Sequence, residues 1–180
     1  MILYINACTR KESRTKYLAE RFIDKRGIGE VEELNLYDVV FPCTDEKFLD
    51  WRNGCVERGD FSDKYFDLAK QFAAAEKIII AAPYWDLSFP AVLKQYIEHI
   101  NVMGITFIYT DEGYTKAMCR ADKLYYITTA GGEFLPMEFG FGYIKSLAES
   151  FYGITDCELI MAKGLDVVGA HVEEILENAI

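Results

Sequence analysis

The sequence is short of positive charge, histidine and long apolar runs. Nineteen Lys and Arg stand against twenty-nine Asp and Glu, a formal net charge of −10 over 180 residues. Nucleic-acid binders of this size take their affinity from basic faces that neutralise phosphates. No cluster of Lys and Arg here would supply such a face, so no nucleic-acid partner is expected, and the acid surplus serves solubility. The longest apolar stretch, Ile78 to Trp85, falls far short of the roughly 18 to 20 residues that cross a bilayer, so no membrane insertion is expected. The chain opens on Met1-Ile2-Leu3-Tyr4-Ile5 without a basic n-region or a small-residue cleavage site. That start points to a cytoplasmic location.

The two histidines are His99 and His171, and the five cysteines are Cys8, Cys43, Cys55, Cys119 and Cys157. No two cysteines form a C-x-x-C, and neither histidine has a cysteine at zinc-finger spacing. A metal site and a disulfide framework are both disfavoured, and reduced thiols in a reducing compartment are the simpler reading. Glycine is missing from the first loop, Asn6 to Thr15. That excludes a G-x-G-x-x-G dinucleotide loop and a Walker A loop, since both need glycine for close backbone approach. Gly140-Phe141-Gly142 is half of such a pattern, with Lys145 at its third position.

What is present is a globular composition, 51% hydrophobic and 27% charged, in which extended and helical patterns alternate. Strands are expected at Ile2–Ile5, Val31–Leu36, Lys77–Ala82, Leu124–Thr128 and Glu158–Ala162. Helices are expected over 14–26, around Tyr65 to Ala75, Leu93 to Ile100, Ile144 to Phe151 and Val172 to Ala179. Lys77–Ala82 is apolar on both faces, as a central parallel strand covered on each side should be. Residues 37–60 and 102–121 read as insertions, with no linker or repeat, so residues 1–180 are expected to form a single domain. Five β-α units in this order specify an α/β fold, an open five-stranded parallel sheet with helices on both faces. Such sheets bind ligands beyond the C-terminal strand ends, which directs attention to residues 6–15, 83–90 and 129–142.

The first of these segments offers Arg10, Ser13, Arg14 and Thr15 at the start of a helix, where free backbone N–H groups attract an anion. Ser13 would serve equally as an ordinary helix cap. The second, Pro83-Tyr84-Trp85-Asp86-Leu87-Ser88-Phe89-Pro90, places two large rings between two prolines, which suits a planar ligand; the same rings could be core residues at the sheet edge. The third, Thr129-Ala130-Gly131-Gly132, lets bare amides approach a ligand, or simply makes a turn. Together they describe a mononucleotide with a flat ring system, and flavin mononucleotide (FMN) fits better than a bare phosphate ligand. A phosphorylation receiver domain of this topology would need acidic residues after strand one, and Asn6-Ala7-Cys8 offers none.

Along nearly its whole length the chain resembles the FMN-dependent NAD(P)H:quinone oxidoreductase and azoreductase family, whose fold is flavodoxin-like. Leu34-Asn35-Leu36-Tyr37-Asp38 resembles the family's strand-two signature. Ile80 to Pro90 matches its "AAPMYNFNIP" loop in length and in both prolines. Lys94 to Glu98 and Gly104 to Thr110 match the following helix and "TFRYT". Thr128 to Gly132 matches "TSRGG", and Gly153-Ile154-Thr155-Asp156 matches "GITD". In the first loop Arg10, Ser13 and Thr15 keep their places while Cys8 replaces a serine. Tyr84, Trp85 and Asp86 stand for methionine, tyrosine and asparagine, and Ala130 for a polar residue.

The resemblance implies FMN as cofactor, held by Cys8, Arg10, Ser13, Arg14, Thr15, Pro83, Tyr84, Trp85, Asp86, Leu87, Thr129, Ala130, Gly131 and Gly132. It implies NADH or NADPH as donor and a small-molecule acceptor (quinone, azo or nitro compound) served in ping-pong order. It also implies a homodimer, with the third helix, residues 102–121 and Phe134 to Tyr143 as candidates for the contact. No catalytic side chain is required of such a protein, because the flavin carries the redox chemistry, and none is nominated. A flavodoxin-type electron carrier and a flavin-binding regulator are the alternative readings.

Overall fold

The computed structural model describes residues 1–180. In chain order the elements are β1 (Ile2–Asn6), α1 (Arg14–Lys25), β2 (Glu32–Asn35), α2 (Glu46–Arg58), α3 (Asp67–Ala74), β3 (Lys77–Ala81), α4 (Ala91–Ile100), β4 (Phe107–Tyr109), β5 (Thr115–Ala117), β6 (Lys123–Thr129), α5 (Phe141–Leu147), β7 (Asp156–Ala162) and α6 (Val172–Asn178). Five strands make one sheet in the order β2-β1-β3-β6-β7, and every neighbouring pair is parallel. This is the flavodoxin-like, doubly wound arrangement expected from the sequence.

Side-chain alternation along each strand divides the core in two. Leu3, Ile5, Ile78, Ile80, Leu124 and Tyr126 point to one face and pack with Phe66, Phe72, Leu93, Tyr96 and Ile144 from α3, α4, α5 and their flanks. Tyr4, Ile79, Ala81, Ile127 and Ile160 point to the other, against Leu18, Ala19 and Phe22 of α1 and Leu176 of α6. Three consecutive isoleucines of β3, Ile78 to Ile80, are therefore buried on both sides of the sheet. Burial of each side chain stabilises by about 1.5–3 kcal/mol. In α1, Thr15, Leu18, Ala19 and Phe22 recur at helical spacing and are the buried residues.

Four local expectations are refined by the structure. The segment 37–60 carries α2, capped by Asp45 and closed by Gly59 at φ +65. The segment 102–121 carries the antiparallel hairpin β4–β5. Strand two ends at Asn35, because Leu36 begins a 3-10 turn in which the Asn35 side chain accepts from the Tyr37 amide. The helix near residue 144 continues as a π turn over Ala148–Tyr152 and ends at Gly153, φ +74. A Cβ at Gly153 would lie 2.8 Å from Ala117 Cβ, so glycine lets the hairpin close against this turn. No helix is long and apolar enough to cross a membrane.

Candidate functional site

Strands β1, β3, β6 and β7 end at the same edge: Asn6 is in register with Ala81, Ala81 with Ile127, and Thr129 with Ala162. The loops that leave them enclose a cleft of about 500 Å³, within the usual range for small-molecule sites. Its wall comprises Thr9, Arg10, Glu12, Ser13, Arg14 and Thr15 after β1, Pro83, Tyr84 and Trp85 after β3, Thr129, Ala130 and Gly131 after β6, and Leu165 and Asp166 after β7.

The loop after β1 is set by its own side chains. Asn6 Oδ1 accepts from Cys8 N at 2.9 Å, while Asn6 Nδ2 donates to Glu33 Oε1 at 2.8 Å. Ser13 caps α1, accepting from Lys16 N at 3.3 Å. The amides of Arg14 and Thr15, in the first turn, have no intrahelical acceptor. The Thr15 hydroxyl is buried and pairs with Thr129 Oγ1 at 2.7 Å, tying α1 to the end of β6. Thr15 thus offers the cleft its backbone N–H, with its hydroxyl already engaged.

Across the cleft, Tyr84 N donates to Thr129 O at 3.1 Å. Trp85 and Ser88 exchange backbone hydrogen bonds of 3.1 and 2.8 Å around Asp86 and Leu87, which sit at φ 50 and 68. Two successive positive φ values between paired residues are the geometry of a type I′ turn, which normally carries Asn-Gly. Leucine there is strained by about 1–2 kcal/mol. Two bonds tie this loop to its neighbour: Tyr84 Oη donates to Pro136 O at 3.0 Å and Ser88 Oγ to Phe139 O at 2.6 Å.

The loops after β6 and β7 continue the sheet's pairing. Ala130 N donates to Ala162 O, Leu165 N to Ala130 O, Asp166 N to Gly131 O and Gly164 N to Gly132 O, at 2.8 to 3.2 Å. This ladder brings Asp166 back to the start of α1, where its carboxylate meets Arg14 Nη1 at 2.7 Å.

Most of the residues nominated from the sequence therefore meet at one cleft: Arg10, Ser13, Arg14, Thr15, Pro83, Tyr84, Trp85, Thr129, Ala130 and Gly131. Four do not line it. Cys8 is buried beneath, its Sγ 3.7 Å from Ala81 O; Asp86, Leu87 and Gly132 are exposed outside the wall. Burial pushes the Cys8 thiol up to about 11, the opposite of what a helix N-terminus does to an exposed thiol. Asp86 does not cap α4 either, since Pro90 holds the N-cap position without a side-chain bond. Sequence reading missed Thr9, Glu12, Leu165 and Asp166. The topology alone signals the last two, because β7 delivers a fourth loop to the same edge. His99 lies outside the cleft, buried, with Nε2 2.7 Å from Tyr65 O and its ring against those of Tyr65 and Phe41. Burial lowers its pKa from the usual histidine value, and its ring serves packing.

The donor set of the cleft suits a phosphorylated planar ligand. Unpaired amides, the Ser13 hydroxyl and two guanidinium groups stand at the helix end, and the Trp85 ring, 40% exposed, stands at the other. The family model described as the flavodoxin-like fold matches residues 1–180. FMN-dependent NADH:quinone oxidoreductase 2 of Clostridium acetobutylicum is 39% identical over 191 residues, covering 99% of this chain and 94% of the relative. The FMN-dependent NADH:quinone oxidoreductase of Clostridium beijerinckii is 38% identical over 187 residues, covering 99% and 93%. Among solved structures, an azoreductase from Bacillus anthracis superposes with a TM-score of 0.81 at 25% identity, covering 99% of this chain and 93% of that one.

Proposed function

The chain belongs to the family of FMN-dependent NADH:quinone oxidoreductases with a flavodoxin-like fold, and we propose that its cleft holds FMN and passes reducing equivalents from NADH to quinone or azo acceptors. The observation that carries this reading is the meeting of an anion seat and the Tyr84 and Trp85 rings in one cleft at the C-terminal sheet edge. The amides of Arg14 and Thr15, with Ser13 and the Arg10 and Arg14 guanidinium groups, would hold the phosphate. The backbone of Ala130 and Gly131 would face the ligand's edge, and Tyr84 and Trp85 would flank its plane. When bound, FMN supplies the hydride chemistry; the protein supplies position and exclusion of water, and no side-chain acid, base or nucleophile is needed.

Donor and acceptor are proposed to use the same opening beside Trp85 in turn, a ping-pong order that extends to nitro acceptors and gives NADPH a place as alternative donor. A cytoplasmic homodimer is proposed, with the exposed aromatics of two segments, Tyr109 and Tyr114 on the hairpin and Phe134 and Phe139 after β6, as its contact; light scattering of the purified protein tests it. Rapid mixing of the flavin-loaded protein with NADH under anaerobic conditions tests the activity. Bleaching of the flavin absorbance, reversed by adding a quinone, is expected. A flavin that NADH leaves oxidised identifies an electron carrier, and reduction without reoxidation identifies a regulator.

A further inference from the structure

The helix end of the cleft is closed by a bridge. Arg14 Nη1 contacts Asp166 Oδ1 at 2.7 Å and lies 3.4 Å from Leu165 O, joining the first turn of α1 to the loop after β7. That loop is held in place by the backbone ladder from Ala130 to Gly132. Gly131 makes room for the bridge: a Cβ there would stand 2.1 Å from Asp166 Oδ2. Beyond lies a second groove of about 530 Å³ along the outer face of α1. It shares Glu12, Ser13 and Arg14 with the cleft and adds Lys11, Lys16, Tyr17, Glu20 and Leu176. Lys11 and a tyrosine ring, 45% exposed, are groups that would suit a second phosphate and a base, while Lys16 is already held by Glu33 at 3.3 Å and Glu20 at 3.7 Å. Arg14 borders both, and its bridge to Asp166 lies on the cleft side.

We propose that Asp166 makes the site selective for a flavin monophosphate over a flavin dinucleotide. This rests on the flavin reading above. A monoester phosphate ends at the helix N-terminus and needs no outlet. A pyrophosphate must continue from that seat past Arg14 into the groove, which Leu176 of α6 also lines. There it meets the bridge as an obstacle, and the carboxylates of Asp166 and Glu12 as like charges. Asp166 acts twice: it holds Arg14 across the outlet and it repels the second phosphate. Both parties are partly exposed, Arg14 at 45% and Asp166 at 70%, so the pair contributes little to stability and its removal leaves the fold intact.

The test is titration of the flavin-stripped full-length protein with FMN and with flavin adenine dinucleotide, read by flavin fluorescence. The wild type is expected to favour FMN. In Asp166→Asn and Asp166→Ala the FMN-to-dinucleotide affinity ratio falls by about fivefold or more, the effect of one unit charge about 4 Å from another in water. Glu133→Gln removes the same charge from the neighbouring loop, where Glu133 pairs with Lys163 at 3.2 Å outside the cleft, and leaves the ratio unchanged. Equal binding of both flavins by the wild type overturns the selection. So does a smaller fall in the Asp166 variants, or an equal fall in Glu133→Gln. A stripped wild type that binds neither flavin overturns the cofactor reading instead.

Discussion

Around Ser13 and Thr129 the polar side chains of the cleft already have partners, whereas at Trp85 to Ser88 two non-glycine residues hold positive φ with exposed side chains. At the helix end, Ser13 caps α1, Thr15 pairs with Thr129 and Arg14 pairs with Asp166. At the aromatic end, Asp86 and Leu87 occupy a turn that costs conformational energy, fixed by paired backbone bonds and by Tyr84 and Ser88. The helix end gains rigidity from mutual satisfaction, which preorganises donors for an anion. The aromatic end keeps a strained backbone, a feature that clusters at ligand clamps and active sites. Binding strength is therefore expected to depend on the first end, and the reaction on the second.

The sharpest break in this contrast is Ser13→Ala combined with Thr15→Ala. Loss of the cap costs about 1 kcal/mol, and the Thr129 hydroxyl, left buried without its partner, costs about 1–3 kcal/mol. Urea unfolding of the flavin-stripped protein should show a loss of about 2–4 kcal/mol. FMN affinity should weaken by about 1–3 kcal/mol as the Ser13 hydroxyl's hydrogen bond to a charged group is lost. Unchanged affinity would remove this end as the phosphate seat.

Beneath the same end, Cys8 gives a pH signature. Burial raises its thiol from 9.0 to about 11, so between those values the unfolded chain has released a proton that the folded chain retains. The stabilisation is complete below pH 9 and is lost as pH rises towards 11, by up to about 2–3 kcal/mol at roughly 1.4 kcal/mol per unit. Stability measured across pH 8 to 11 should fall less steeply in Cys8→Ser, and that variant should still oxidise NADH. Superimposable curves would mean that the thiol is not buried as described. A collapse of turnover with FMN still bound would give Cys8 a chemical role.

The strained turn predicts the opposite sign. Leu87→Gly relieves about 1–2 kcal/mol of left-handed strain and adds about 0.5–1 kcal/mol of chain entropy to the unfolded state. A net gain of about 0.5–1 kcal/mol is expected, seen as a small rise in Tm. A loss would show that the Leu87 side chain, 49% exposed, is held by a contact that outweighs the strain.

How much of this was legible in the sequence depends on the range of the interaction concerned. The continuous apolar run of β3 and the 15, 18, 19, 22 spacing of α1 are local patterns, and both elements form where those patterns predict. The α2 helix was not legible because it lacks an apolar stripe. Cys55 is its one fully buried residue, while Phe48 and Trp51 gain their packing from Tyr65, further along the chain. Strands β4 and β5 have three residues each, too few for alternation to register. At the cleft, the loops named from topology supply three of the four walls. Asp166 was missed because its place depends on a bond 152 residues away and on the side chain that Gly131 lacks.

The smallest expected effect lies at Asp86, and it bears directly on whether the aromatic end tunes the chemistry through charge or only through shape. In relatives as the sequence motif represents them, this position is a neutral asparagine, and a carboxylate beside a ring that gains electron density would lower its midpoint potential. The structure turns the Asp86 side chain to solvent outside the cleft wall, where water screens it. A unit charge about 4 Å away in water contributes about 1 kcal/mol, and a more distant one less. Asp86→Asn should therefore raise the midpoint potential of the FMN-loaded protein by no more than about 20 mV, the two-electron equivalent of that energy. Asparagine tolerates positive φ as well as aspartate does, so the turn itself survives the exchange and the comparison isolates the charge. Potentiometric titration of both proteins in the same buffer decides the matter. A shift well above that bound would mean that the turn folds inward when the flavin is bound and that Asp86 is an electrostatic partner of the ring.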